Sequence, residues 1–226
     1  MLADVNNGRL IDVCAYSSGS LESNTSDCIL YRPQTGKLEV TKVLPSNLGL
    51  FNLQIDGVTA GSGANVGNGG TTGTEVVPAG NHSVGETAGT GTTLTSYVSD
   101  ISCAGNHGTR TVLASCTNCT SLANVPVADE ADVLCTITNT RKQGSIELVK
   151  AWSGTGGQTT LKIGTTIGGS EVDSQLTGAN GGVPLTTGAN AVVTGTYYVS
   201  ESGGLTNYDT VLTCTSASFG ASSAIA

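Results

Sequence analysis

The sequence predicts an all-β protein made of two tandem β-sandwiches, the second of them incomplete. Three observations indicate this architecture. Charged residues make up only 12% of the chain and aromatic residues 4%, while Val, Ile and Thr occur in short runs between Gly-rich turns. No window of about 10 or more residues has a convincing helical period. The same strand motifs also occur twice, so two related domains are expected.

Three short motifs carry the repeat. They pair residues 36–42 (GKLEVTK) with 144–150 (GSIELVK), Val84-Gly85-Glu86 with Val199-Ser200-Glu201, and Tyr97 and Cys103 with Tyr208 and Cys214. The first copy continues to a last strand, Val133–Thr140, whereas the second copy reaches Ala226 without one. We therefore predict a complete β-sandwich over residues 36–141 and an incomplete one, lacking its last strand, over residues 144–226.

Alternating apolar residues and turn signals predict strands throughout both copies. In the first copy these lie near 37–43, 50–56, 73–77, 81–87, 94–103, 109–115 and 132–140. In the second copy they lie near 145–152, 159–164, 183–187, 190–201 and 208–216. Repeats of about 100 residues with about seven short strands are typical of sandwiches of the immunoglobulin or prealbumin type.

Residues 1–35 are predicted to complete the second sandwich as an N-terminal donor segment. They hold a strand around Arg9–Tyr16 and another that includes Asp27, Cys28, Ile29, Leu30 and Tyr31. Because Tyr31 leads almost directly into the first copy, little linker is left for folding back past that copy within one molecule. We therefore expect strand addition to a neighbouring molecule, which builds an open filament unless the contacts close into a ring. Closure within one molecule is the alternative.

The repeated motifs resemble the SpaA-like, or collagen-adhesin B-type, repeat domains of bacterial surface and pilus proteins, which have a prealbumin-like fold. The resemblance is carried by the opening strand with Leu38, Val40 and Lys42, by the strand that ends in Glu86, and by the closing strand Cys135–Thr140. It covers roughly residues 36–216. It implies a stalk or pilus module and not an enzyme.

Lys42 is singled out by strand alternation, because it shares one face of its strand with Leu38 and Val40. A buried ammonium group without a partner costs several kcal/mol or loses its proton. The resemblance implies that such a lysine is joined to an asparagine of the last strand by an intramolecular isopeptide bond, with a carboxylate nearby. The matching residues are Lys42, Asn139 and Glu86.

The chemistry of the bond explains these three residue types. A desolvated lysine becomes nucleophilic, and a buried glutamic acid held neutral can shuttle a proton and polarise the amide carbonyl. The alternative is that Lys42 lies at the rim with its ammonium group in water, and that Asn139 caps a turn. The second copy keeps Lys150 and Glu201, but its candidate closing strand has Arg32 in place of Asn139. We therefore predict an ion pair there and no isopeptide bond.

Seven cysteines favour an oxidising compartment. The resemblance implies a disulfide between Cys103 and Cys135. By the repeat, Cys214 corresponds to Cys103 and Cys28 to Cys135, so we expect an intermolecular disulfide between Cys28 and Cys214. The alternative is a local bridge between Cys14 and Cys28 that leaves Cys214 unpaired.

The pair Cys116 and Cys119 forms a C-x-x-C motif, for which we predict a disulfide that tightens a loop. A zinc site would need two more ligands at a suitable spacing, and none is found. A redox motif would need a helix that starts after a strand. No metal site and no cofactor are therefore expected.

Charge and motifs exclude several functions. A net charge of −8 and a pI near 4.5 argue against nucleic-acid binding, and no stretch of about 20 apolar residues could span a membrane. The chain has no nucleophile elbow, no paired carboxylate motif and no phosphate loop. His82 and His107 sit beside Asn and Gly in predicted turns, which favours surface loops over catalysis.

The leading hypothesis is a secreted, extracellular structural subunit that polymerises with itself by strand exchange. The alternative is a fragment of a repeat adhesin whose loops 56–73, 154–160 and 178–182 contact a host or matrix ligand. A third hypothesis, an enzyme acting on polysaccharide, would need aromatic platforms, and the single Trp152 argues against it.

Overall fold

The protein is described by a computed structural model that covers residues 11–14, 28–109 and 111–215. These residues form sixteen strands and two single-turn 3-10 helices, Leu94–Ser96 and Ala179–Gly181. They divide into two compact units, one up to Arg141 and one from Lys142 onward. No helix in this part of the chain is long and apolar enough to cross a membrane.

The first unit contains eleven strands among the described residues. They are β1 Ile11–Cys14, β2 Cys28–Tyr31, β3 Thr35–Val43, β4 Phe51–Ile55, β5 Val58–Thr59, β6 Glu75–Pro78, β7 Gly80–Ala88, β8 Tyr97–Gly105, β9 Val112–Cys116, β10 Ser121–Val127 and β11 Asp132–Arg141. One sheet has the order β6-β3-β11-β8-β9, and the other has the order β10-β7-β4-β5.

The two sheets pack face to face around one apolar core, as in a β-sandwich. Alternate residues of each long strand point inward, and β11 buries every second side chain over most of its length. The central part of the core consists of Leu38, Val40, Leu53, Val84, Val125, Ile101, Cys103, Val133, Cys135 and Ile137.

Strand β11 is the central strand of its sheet. It pairs in parallel with β3, with Ile137 opposite Lys42, and antiparallel with β8, with Cys135 opposite Cys103. A disulfide joins these two cysteines, whose Cα atoms are 3.9 Å apart. The last strand of this domain therefore lies between two other strands and is not an edge strand.

Strands β1 and β2 form a separate two-stranded antiparallel sheet. Their register places Cys14 opposite Cys28, in the same relation that Cys103 has to Cys135. Strand β2 is followed after a short connection by β3, just as β11 is followed by the first strand of the second unit. The backbone of this hairpin thus repeats the pairing of β8 with β11.

The second unit contains five strands among the described residues. They are β12 Gln143–Ile146, β13 Thr160–Gly164, β14 Asp173–Leu176, β15 Asn190–Val193 and β16 Tyr198–Ser202. β12 pairs with β15, and β13 lies between β14 and β16 in a three-stranded sheet. Leu161 and Ile163 of β13 are its most deeply buried apolar side chains.

Four strands of the second unit repeat four strands of the first in register. Gly144 of β12 lies opposite Val192 of β15, as Gly36 of β3 lies opposite Val77 of β6. In the other sheet, β13 pairs with β16 as β4 pairs with β7. We call these four strands in each unit, β3, β4, β6 and β7 and their counterparts β12, β13, β15 and β16, the shared frame.

The frame is also held by the same turn in both units. The backbone N–H of Val40 donates to Thr72 Oγ1 at 3.0 Å, and that of Leu148 donates to Thr187 Oγ1 at 3.0 Å. The residue before each of these threonines donates its hydroxyl group to a glutamate, Thr71 to Glu39 in the first unit. A Thr-Thr-Gly sequence fixes this turn in both copies.

The structure corrects several strand predictions. A strand is predicted over 208–216, but its described residues, 208–215, form none, and the strand expected over 145–152 ends at Ile146. The segment 183–187 contributes only a single bridge, between Val149 and Thr186. Strands β5, β10 and β14 were not predicted, and the single strand predicted over 190–201 is divided into β15 and β16, which lie in different sheets. The missing strand at 208–215 has a physical reason, because none of the described strands of the second unit takes the place that β11 has beside β8 in the first.

Candidate functional site

Lys42, Glu86 and Asn139 meet between the two sheets of the first unit. Lys42 lies on β3, Asn139 lies on the neighbouring strand β11, and Glu86 reaches them from β7 in the facing sheet. Strand alternation points all three inward, and their exposed fractions are 1%, 3% and 0% for Lys42, Glu86 and Asn139. The alternative that Lys42 lies at the rim is therefore wrong.

One carboxylate connects the lysine to the amide. Lys42 Nζ donates to Glu86 Oε2 and, at 2.5 Å, to Asn139 Oδ1. Asn139 Nδ2 donates to Glu86 Oε1 at 2.8 Å. Glu86 thus accepts a hydrogen bond from the lysine amine at Oε2 and one from the asparagine amide nitrogen at Oε1.

Two further side chains complete the environment of the triad. Ser99 of β8 is buried and donates its hydroxyl group to Glu86 Oε1 at 2.9 Å. The Phe51 ring of β4 covers the lysine, whose Nζ atom lies 3.9 Å from the ring centroid. Phe51 packs edge-on against Tyr97, so the amine is shielded from water by an aromatic pair.

Burial changes the protonation of the lysine. Desolvation lowers the pKa of Lys42 to about 8, although the adjacent Glu86 carboxylate acts in the opposite direction. A sizeable fraction of the amine is therefore neutral at mildly alkaline pH. A neutral amine in contact with a side-chain amide is a competent nucleophile.

The arrangement is suited to the formation of an amide bond between two side chains. Lys42 Nζ would attack the side-chain carbonyl carbon of Asn139, and the bond from that carbon to Nδ2 would break. Glu86 would take a proton from the attacking nitrogen through Oε2 and deliver one to the leaving nitrogen through Oε1. The products are an isopeptide bond and ammonia, so atoms and charge balance without a cofactor.

The second unit contains the corresponding lysine and carboxylate. Lys150 Nζ lies 2.8 Å from Glu201 Oε2 and 4.4 Å from the centroid of the Trp152 ring. The ion pair is part-exposed, whereas the first unit's is fully buried. Among the described residues of this unit, no side-chain amide contacts Lys150.

The structure brings together two of the cysteine pairs named from the sequence. Disulfides join Cys103 to Cys135 and Cys116 to Cys119. Cys214 is a free thiol. The intermolecular bond between Cys28 and Cys214 stays a prediction, and the backbone register of β1 and β2 matches the alternative in which Cys14 is the partner of Cys28.

Sequence reasoning missed three side chains of structural importance. Ser99 and Phe51 surround the triad. The only signal for them in the sequence is the alternation of side chains along β8 and β4, which points both residues inward. His82 was assigned to a surface turn, but it lies buried on β7, with Nδ1 2.8 Å from Asp56 Oδ2 and Nε2 2.8 Å from the Pro78 carbonyl oxygen. No group of three or more metal-binding side chains is found within the described part of the chain.

Comparison with known proteins matches most of the first unit to one family model. Residues 39–141 match the SpaA family model described as a prealbumin-like fold domain. No curated protein and no solved structure matches the chain significantly. Domains of this kind are structural parts of bacterial surface proteins, which supports a structural role in a pilus or surface adhesin. The resemblance is therefore confirmed for the first unit: residues 39–141 are a SpaA-like domain with a prealbumin-like fold.

Proposed function

We propose that the protein is a structural subunit of an extracellular filament whose first unit is locked by an isopeptide bond between Lys42 and Asn139. The observation that carries this proposal is the fully buried contact of amine, carboxylate and amide. A covalent bond between the neighbouring parallel strands β3 and β11 ties the opening and closing strands of the domain together. Such a tie lets a module bear tension along its length.

The bond is tested by intact mass. We expect the purified chain to be lighter than its sequence by one ammonia for this bond, in addition to the hydrogens lost in disulfides. The ammonia loss should be absent in Lys42→Arg and in Glu86→Gln. The matched control is Lys37→Arg, since Lys37 lies on the same strand but is exposed. An unreacted mass for the wild-type chain would contradict the proposal.

The filament would form by strand complementation. The second unit has the shared frame but, among its described residues, no counterpart of the central strand β11. Residues 1–35 of a neighbouring molecule are proposed to fill this gap, with Cys28 bonded to Cys214 across the joint. The pairing of β1 with β2, which repeats that of β8 with β11, supports the view that this segment carries strands that close a sandwich of this type.

The assembly is tested by measuring the size of the particles over a series of protein concentrations. We expect fibres in negatively stained micrographs, and a ladder in non-reducing gels that collapses on reduction and in Cys214→Ser. Cys214→Ser keeps the first unit intact because Cys214 lies outside it. A chain that stays monomeric at every concentration would contradict head-to-tail assembly.

The second candidate function is a stalk or ligand-binding part of a repeat adhesin. The register of β1 and β2 favours it as well, because the same hairpin would close an earlier domain of the same type in a longer polypeptide. A monomeric chain with a stable first unit and a poorly protected second unit would favour this candidate.

A further inference from the structure

The second unit reproduces most of the isopeptide site of the first. Glu201 lies opposite Leu161 in the pairing of β16 with β13, as Glu86 lies opposite Leu53 in the pairing of β7 with β4. Lys150 pairs with Glu201 as the first unit's lysine pairs with its glutamate. The nucleophile and the proton carrier are therefore both present.

The aromatic cover of the lysine is also reproduced, although one ring comes from a different position. In the first unit the lysine lies over Phe51, which packs edge-on against Tyr97. In the second unit Lys150 lies over Trp152, which packs edge-on against Tyr208 with ring centroids 4.9 Å apart. The repeat aligns Tyr208 with Tyr97, so residues 208–215 start where β8 starts.

Side chains around the second ion pair are more exposed than their counterparts in the first unit, and none of the described strands covers them. The side chains of Lys42 and Glu86 are fully buried, whereas those of Lys150 and Glu201 are 13% and 20% exposed. Leu212, the counterpart of the buried Ile101 of β8, is 36% exposed. Leu161 and Ile163 of β13 stay buried, at 1% and 0% exposed.

Two further groups of the second unit are without partners among the described residues. The indole N–H of Trp152 is buried and donates no hydrogen bond. Cys214, which the repeat aligns with Cys103, is a free thiol.

We propose that Lys150 and Glu201 form an isopeptide half-site, which captures a protein strand that carries asparagine four residues after cysteine. In the first unit this spacing places Cys135 against Cys103 and Asn139 against Lys42. The same spacing in an incoming strand would place its cysteine against Cys214 and its amide against Lys150. The inference rests on the proposed strand complementation of the second unit.

The same bonds would form and break as in the reaction described for the first unit. Lys150 Nζ would form a bond to the side-chain carbonyl carbon of the incoming asparagine, and the bond to the amide nitrogen would break. Glu201 would pass a proton from the attacking nitrogen to the leaving nitrogen, which departs as ammonia. No oxidant or cofactor is required for this bond.

The half-site would also distinguish between incoming strands that carry the asparagine and strands that do not. Residues 1–35 offer Cys28, but four residues later they carry Arg32. A joint with that segment would therefore hold only a disulfide and could be opened by reduction. A partner subunit with the asparagine-bearing pattern would be attached permanently.

The test uses the full-length chain and a synthetic peptide with the sequence of Asp132–Arg141. The two are mixed under reducing conditions, so that any adduct is not a disulfide. We expect a product with the mass of chain plus peptide minus one ammonia, with the cross-link mapped to Lys150. The adduct should be lost in Lys150→Arg and Glu201→Gln, and with a peptide carrying Asn139→Ala. It should persist in the control Lys142→Arg, an exposed lysine of the same unit.

The outcomes separate this inference from the proposed function. Absence of an adduct with the wild-type chain, or an equal amount with Lys150→Arg, would overturn the half-site even if the chain forms fibres. An adduct at Lys150 in a chain that never polymerises would uphold the half-site and reject head-to-tail assembly. A peptide with the sequence of Asp27–Arg32 should give no adduct under the same conditions.

Discussion

The two units share a strand frame but differ in how well they bury it. In the first unit, β11 lies between β3 and β8, and the inward side chains of all three strands are inaccessible to water. In the second unit, the residues aligned with β3 and β8 are partly exposed, and those aligned with β8 form no strand. The more deeply buried unit is thus the one whose described strands include a central strand between these two segments.

The same contrast applies to the lysine–glutamate pairs. An ion pair in the dry interior depends on every partner, because removing one leaves an uncompensated buried charge. A part-exposed pair is solvated from one side and contributes much less. The first pair is therefore the more sensitive to loss of a partner, and the second is a corresponding pair with one side open to solvent.

The largest difference between the units is expected on removing the lysine of the first. Lys42→Ala should destabilise the first unit by about 3–5 kcal/mol or more, because Glu86 is left buried and unpaired and the isopeptide bond cannot form. Thermal unfolding together with intact mass measures both effects. A change below about 1 kcal/mol would show that the buried pair contributes little.

The disulfide between β8 and β11 should have the next largest effect. Replacing Cys103 and Cys135 together by alanine should cost about 2–4 kcal/mol, because the loop of the unfolded chain is no longer constrained. Cys214→Ala is the matched variant in the second unit and should change stability by less than about 0.5 kcal/mol. Denaturant unfolding of both variants against the wild type tests the comparison.

Isopeptide formation in the first unit should depend on pH. Only the neutral amine attacks, and burial lowers the pKa of Lys42 to about 8. Below that pH the rate should fall about tenfold per pH unit, and above it the rate should level off. The chain can be refolded from denaturant at fixed pH and the loss of ammonia followed by mass. A rate that does not change between about pH 6 and pH 8 would be incompatible with this role of Lys42.

The smallest effect is expected at the second unit's ion pair. Lys150→Ala should destabilise that unit by only about 0–1 kcal/mol, because the pair is part-exposed. The effect should grow once a strand has been added and the pair is covered. Unfolding measured with and without the added strand distinguishes the two states.

Part of this architecture can be predicted from the sequence because it is local. Period-two alternation identifies Lys42 as an inward side chain of an apolar strand, and the repeated motifs locate both copies of the frame. Edge strands are harder to predict. Strand β10 contains Pro126, which breaks a strand pattern but is tolerated at a sheet edge, and β14 is mostly polar.

The remaining errors concern long-range partners. The pattern of residues 208–215 is suitable for a strand, but a strand forms only beside another, and sequence pattern does not show whether that partner exists. His82 has the neighbours of a turn residue, yet Asp56 from a distant hairpin and the Pro78 carbonyl hold it inside. Burial acts to lower the pKa of His82, but the contacts with Asp56 and Pro78 together outweigh it and raise the pKa above its ordinary value.

Backbone hydrogen exchange of the monomeric chain tests most directly whether the second unit lacks the strand that the first unit has. Residues 37–42 and 97–103 serve as internal references for 145–150 and 208–214 in the same molecule. We predict slow exchange in the two reference segments. We predict fast exchange in 209–214 and at Glu147 and Val149, since the N–H groups of Tyr208, Leu148 and Lys150 are bonded within the unit. Exchange at these fast positions should become slow once a strand is added. Equal protection of both sets in the monomer would contradict the account, because the second unit would then already be closed.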